Sequence, residues 1–118
     1  MAQITKRKLS ASTDGRSIPA VATTTPGTLI HTAVTGVVAG TWDEIWIYAT
    51  NQDSVDRTVN IELGGTVTGD QITMTIPSKQ GRMLLIDGAV LQNGVVVRAF
   101  ASAASVINIS GYVNAITA

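Results

Sequence analysis

The chain contains no cysteine and only one histidine, which narrows the chemistry that its side chains offer. Without cysteine there is no disulfide and no thiol nucleophile, and the usual ligands of a structural zinc ion are missing. A Ser–His–Asp arrangement would have to include His31, which lies in an apolar segment without a serine or aspartate motif beside it. From these absences we expect that the chain is not an enzyme and that it binds no small-molecule substrate, metal ion or cofactor. We expect His31 to have a structural role.

Charged residues are scarce, at 14% of the chain, against about 25% in a typical globular protein. A surface with few charges favours association, so we expect the chain to self-associate or to dock on a larger body. Basic and acidic residues cancel overall, but residues 1–16 carry an excess of three positive charges. This asymmetry predicts a basic segment that meets an acidic partner.

Long apolar runs are also absent, and none approaches the ~18 residues that a membrane helix needs. The first residues lack the apolar segment of a signal peptide. We therefore expect no membrane association and synthesis in a cytoplasm. The 118 residues suffice for one domain.

Residues 1–27 differ in composition from the rest of the chain. They contain two of the three prolines, Pro19 and Pro26, and show neither a helical nor an alternating apolar period. Proline fixes its own φ and favours an extended conformation in the residue before it. We predict an extended basic N-terminal arm over residues 1–27, outside the core, and a β-sandwich domain over residues 28–118.

The cations of this arm are candidate partner-binding residues: Lys6, Arg7, Lys8 and Arg16. Nucleic acid is the weaker candidate partner, because three clustered cations make few phosphate contacts and the arm has no aromatic residue for base stacking. We expect the arm to bind protein.

From residue 28 onward, short strands alternate with turns. The predicted strands are residues 29–34, 43–50, 57–63, 71–76, 81–86, 89–91, 95–101 and 106–116, and a turn at Asp87-Gly88 separates the fifth from the sixth. Residues 57–63 place Val59, Ile61 and Leu63 on one face, and Asn93-Gly94 is a strong hairpin signal. Eight strands at short spacing, without a helical segment, predict an all-β fold, an antiparallel β-sandwich of jelly-roll or immunoglobulin-like type. The strand count favours an eight-stranded jelly roll. The predicted inward-facing residues are Val59, Ile61, Leu63, Ile72, Met74, Ile107 and Ile109.

Trp46 and Tyr48 share one face of a strand whose other face is also apolar. Three interpretations are open. The strand is central and covered on both sides by protein, or the two aromatic residues lie at a subunit contact, or they form a platform for stacking sugars. Trp46 and Tyr48 are therefore further candidates for partner binding.

Four stretches of the sequence resemble small structural proteins that decorate the capsid exterior of tailed bacteriophages. They are Asp43–Asn51, Val59–Gly65, Val97–Ala101 and Ile107–Asn114. The resemblance extends over about residues 28–117, and the segment from Ser10 to Thr25 fits the style of the arms in that family.

The resemblance implies a capsid decoration, or cement, protein on the exterior of a virion. It further implies a homotrimer that clamps neighbouring subunits of the major capsid protein, partly through extended N-terminal arms. The alternatives are another phage structural module, from the tail, the baseplate or a head fibre, and a carbohydrate-binding β-sandwich that exposes Trp46 and Tyr48.

Overall fold

Nine β-strands form the framework of residues 2–117, which are the residues that the computed structural model describes. The strands are β1 (Gln3–Lys8), β2 (Ile18–Pro19), β3 (Thr28–Thr32), β4 (Trp42–Asn51), β5 (Arg57–Leu63), β6 (Gln71–Ile76), β7 (Met83–Leu91), β8 (Val96–Ala101) and β9 (Ile107–Thr117). Met1 and Ala118, the ends of the predicted arm and domain, lie outside the described residues. Within residues 2–117 the only helical element is a 3₁₀ turn at Thr68–Asp70, and no helix is suited to crossing a membrane.

The strands form two antiparallel sheets that pack face to face. Sheet I has the order β1-β9-β4-β7, and β2 pairs with the start of β9. Sheet II has the order β3-β8-β5-β6. The prediction of an all-β antiparallel sandwich is confirmed.

The core between the sheets is aliphatic. In β4 every second side chain is buried, so Ile45, Ile47 and Ala49 face sheet II. The predicted inward positions of β5 and β9 are fully buried: Val59, Ile61, Ile107 and Ile109. Leu63 and Met74 pack against this core. Ile72 lies opposite Ile61 but is 36% exposed, because β6 is an edge strand and no strand among residues 2–117 pairs with its outer side.

The prediction that residues 1–27 lie outside the core is wrong for three of them. Leu9, Ile18 and Ala20 are buried members of the core cluster. The first part of the predicted arm is β1, whose six side chains are all exposed and which pairs along its length with β9. The pairing is non-local, with Gln3 opposite Thr117, so no local period could indicate it.

Ala20 donates its backbone N–H to Ile107 of sheet I, and residues 21–27 then pass to the outer side of sheet II, where hydrogen bonds attach them. The Thr25 hydroxyl and the Gly27 N–H donate to the carboxylate of Glu62, whose side chain is buried. Gly27 lies directly against β8, where a Cβ atom would come within 2.5 Å of the backbone carbon of Ala99. Only glycine permits this approach.

Replacing Glu62 with alanine is expected to lower the free energy of unfolding by about 1–3 kcal/mol, because the buried Gly27 N–H loses its acceptor. Glu62→Gln retains one acceptor oxygen and is expected to lose less. Urea denaturation of both variants measures the difference. Equal stability of Glu62→Ala and the unaltered protein would contradict this account of the segment.

The predicted turn at Asp87-Gly88 is wrong, because both residues lie inside β7. The register with β4 passes from Ala89 opposite Ile45 to Asp87 opposite Trp46, so Gly88 is the extra residue of a β-bulge. Its φ of +94° is one that glycine adopts readily. Turns and bulges both favour glycine because both can require a positive φ, so the dipeptide alone does not distinguish them. The two strands predicted on either side of this turn are therefore the single strand β7. The eight predicted strands become seven, and β1 and β2 raise the count to nine.

Candidate binding face on the outer side of sheet I

The tryptophan and tyrosine side chains gather on the outer side of sheet I. Because the odd-numbered residues of β4 point inward, Trp42, Trp46 and Tyr48 point outward. Tyr112 of β9 is the direct cross-strand partner of Trp46. These four residues, which we call the aromatic face, are all the tryptophans and tyrosines of the chain. Each is half-buried, whereas the buried core that they cover contains no aromatic residue.

Trp46 is held in a fixed orientation by contacts on three strands. Its ring stacks with Tyr112, with centroids 6.1 Å apart and planes inclined by 9°. Its indole also lies above the bulge glycine, so a Cβ atom on Gly88 would be 3.3 Å from Cζ2. Its Nε1–H donates to Oε1 of Glu44 at 2.8 Å. The ring is thus pre-organised on the surface of the sheet.

Glu44 provides a negative charge within the aromatic face. The Trp46 indole N–H and then the Asn114 amide, at 3.1 Å, donate to its carboxylate. These hydrogen bonds hold the pKa of Glu44 below its usual value, because they stabilise the charged form. The carboxylate therefore stays ionised in moderately acidic solution.

Two cations lie over the tyrosine rings. The Lys6 Nζ atom is 4.3 Å from the ring centroid of Tyr112, and the Arg82 guanidinium carbon is 4.3 Å from that of Tyr48. Both are cation–π contacts, which the negative face of an aromatic ring stabilises. The outer side of sheet I therefore combines flat apolar rings with positive charge.

The six sequence-predicted binding residues do not form one cluster. Lys6 and Trp46 meet through Tyr112, and Tyr48 lies two positions further along β4. Arg7 lies on the opposite side of β1 and lines a cavity at the end of the sandwich. The Lys8 Nζ atom donates to the Ser12 carbonyl at 2.9 Å. Arg16 lies in the loop between β1 and β2.

Sequence reasoning misses Tyr112, Arg82 and Trp42 as members of this face. The alternation of β9 predicts an outward position for Tyr112, but its pairing with Trp46 is a register that a single sequence does not reveal. The predicted strand begins at Asp43, one residue too late, and so leaves out Trp42. The even spacing of Trp42 from Trp46 is the signal that could have identified it.

The cavity beside Arg7 has a volume of about 650 Å³ and is bordered by the sole histidine. His31 is buried, and its Nε2 lies 2.8 Å from Oδ2 of Asp43. Its Nδ1 accepts the Ser10 backbone N–H at 3.0 Å, which places the proton on Nε2. Both ring nitrogens thus take part in hydrogen bonds that join β3 to β4 and to the segment after β1. These contacts agree with the structural role expected of His31.

The described residues define a two-sheet antiparallel β-sandwich with an aromatic and cationic outer face on one sheet. Comparison with protein-family models, with curated proteins and with solved structures finds no match for this chain. Among residues 2–117 no group of three or more histidine, aspartate or glutamate side chains is arranged to hold a metal ion. The aromatic face and the resemblance described above are therefore the basis for a proposed function.

Proposed function

We propose that this chain is a virion structural protein, a capsid decoration protein that binds the outer surface of a phage head and stabilises contacts of the major capsid protein. The resemblance in β4, β5, β8 and β9 motivates the identity of the partner. The aromatic face is the observation that carries the proposal of a binding role. Its fixed rings provide a rigid surface for contact with protein.

We further propose that the sandwich is a jelly roll, and the order of the strands supports this. β2 pairs with β9, β3 with β8, β4 with β7, and β5 with β6. These nested pairs are those of one long hairpin that has been rolled up. The added pairs β4–β9 and β5–β8 join the halves of each sheet, as in an eight-stranded jelly roll.

The composition of the aromatic face favours a protein partner. Tryptophan, tyrosine and arginine are the residues most enriched where binding energy concentrates in interfaces. Trp46 is already fixed by Glu44, Gly88 and Tyr112, so docking would order few additional groups. Lys6 and Arg82 suit a partner surface that carries carboxylates, and salt is expected to weaken that attachment.

Replacing Trp46 with alanine is expected to weaken binding to phage heads at least about tenfold, because a rigid anchor at the centre of the contact is removed. The assay is co-sedimentation of the purified protein with heads of the phage that encodes it, from which the protein has been stripped. Phe100→Ala is the matched control, since Phe100 lies at an outward position of sheet II. Thermal melts by circular dichroism verify that both variants fold.

Equal binding by Trp46→Ala and the unaltered protein would refute the aromatic face as the attachment surface. Binding to isolated tails but not to heads would favour the alternative of a tail or baseplate module. Failure of the unaltered protein to bind any part of the particle would refute the virion role itself.

A carbohydrate-binding sandwich is the second candidate, favoured by the near-parallel rings of Trp46 and Tyr112 beside the polar groups of Glu44 and Asn114. One feature disfavours it: Lys6 lies over the Tyr112 ring, where a sugar would stack. Saccharide titration followed by calorimetry separates the two. Saccharide binding that Trp46→Ala abolishes, without head binding, would replace our proposal with this one.

A further inference from the structure

The two outermost strands of sheet I leave their outer backbone edges unpaired within the described residues. β7 pairs only with β4, and β1 pairs only with β9. An exposed edge of this kind is a template for pairing with another strand. β7 is the edge better suited to strand addition, because its nine residues include one charge, Asp87, and no proline. Two exposed apolar residues flank that charge, Leu84 at 42% and Val90 at 53%.

The two edge strands themselves carry opposite charge, and Arg82 lies one residue before β7. β1 contains Lys6, Arg7 and Lys8, all exposed, whereas the only charged residue of β7 is Asp87, also exposed. One row of cross-strand partners crosses the four long strands of sheet I, through Lys8, Tyr112, Trp46 and Asp87. This row across the outer face of the sheet therefore begins with a cation at one edge and ends with an anion at the other.

Strand direction is also compatible with joining these edges. Each neighbouring pair in the order β1-β9-β4-β7 is antiparallel, so β1 runs opposite to β7. If a second copy continues the sheet in the same orientation, its β1 arrives beside β7 as an antiparallel neighbour. Pairing of β1 with β1 would instead bring two sets of three cations together, and pairing of β7 with β7 would leave the cations without a partner.

We propose that copies of this chain associate head to tail, with β1 of one copy adding to the β7 edge of the next. Lys6 or Lys8 then lies beside Asp87 of the neighbouring copy, and Leu84 and Val90 are covered. A head-to-tail contact forms a ring when its rotation closes, and a closed ring leaves no free edge on sheet I. Such association between identical chains goes beyond the proposed function and does not depend on attachment to a capsid.

Reversal of charge tests the contact in solution, without phage particles. Sedimentation velocity over a range of concentrations compares four proteins. They are the full chain, Asp87→Lys, the double variant Lys6→Glu/Lys8→Glu, and the triple variant that combines all three changes. We expect the unaltered chain to exceed its monomer mass of 12.3 kDa. Asp87→Lys and the double variant should each shift to monomer, because like charges then face each other. The triple variant should regain the larger mass, because the attraction is restored with reversed sign.

A monomer at every concentration of the unaltered chain overturns the inference. Sensitivity to Asp87→Lys without sensitivity to Lys6→Glu/Lys8→Glu also overturns it, because that result indicates a contact between two β7 edges. A triple variant that has a native melt but remains monomeric contradicts the pairing of these charges. Because the assay contains no heads, its failure is distinct from failure of the proposed attachment.

Discussion

Replacing Gly111 with alanine is expected to lower the free energy of unfolding by about 2–6 kcal/mol, from backbone strain and overpacking together. Gly111 has a φ of +151°, which side-chain-bearing residues rarely adopt. An added Cβ atom would lie 2.0 Å from the carbonyl oxygen of Trp46. The clash is with the backbone of β4, which lies between β9 and β7 and therefore has little freedom to move.

Thermal denaturation followed by circular dichroism measures this loss. Gly81→Ala is the matched control, because a Cβ atom added at Gly81 would have no atom within 4 Å and the φ of this residue is not in the strained range. The control should melt close to the unaltered protein. A Gly111→Ala variant that melts with the control would show that β9 and β4 do not approach as closely as described.

Two nested deletions should differ sharply in their effect on the fold. Deleting residues 2–8 removes β1, whose side chains are all exposed, so the remaining domain should keep a cooperative melt. Deleting residues 2–20 also removes Leu9, Ile18 and Ala20 from the core. Loss of two large buried side chains costs about 4–10 kcal/mol at about 2–5 kcal/mol each, which is comparable with the ~5–15 kcal/mol total stability of a domain. The longer deletion is therefore expected to unfold the protein.

Calorimetry and near-ultraviolet circular dichroism distinguish the two outcomes. A folded 2–20 deletion would restore the sequence-based expectation that the whole arm lies outside the core. An unfolded 2–8 deletion would show instead that the pairing of β1 with β9 is essential. Either result bears on the proposed head-to-tail contact, because that contact requires β1 but not the core residues after it.

The parts of the fold that the sequence predicts well are those with a strict local period. β5 and β6 alternate apolar and polar residues, and their observed bounds, Arg57–Leu63 and Gln71–Ile76, coincide with the predicted ones. In such strands the covalent alternation of side chains places apolar and polar residues on opposite faces. No knowledge of the neighbouring strand is needed to recognise them.

The parts of the fold that the sequence predicts poorly are those in which a residue contacts residues that are distant in the chain. Glu62 lies at a polar, outward position of β5, yet its side chain is buried and its carboxylate accepts hydrogen bonds from Thr25 and Gly27. Leu9 and Ile18 are isolated apolar residues in a polar segment, and only the packing of that segment on the core shows their role. The candidate binding face shows the same limit: Trp46 could be named from the sequence, but its stack with Tyr112 could not.

The separation of an aliphatic core from an aromatic exterior affects how this protein can be observed. Both tryptophans lie at outward positions of β4, so their fluorescence samples the surface of sheet I and not the interior. Arrival of a partner on that surface should change the emission while the core stays intact. Quenching of this tryptophan fluorescence by a dissolved agent would likewise report how much of the aromatic face a partner covers. Binding could then be followed without an added label.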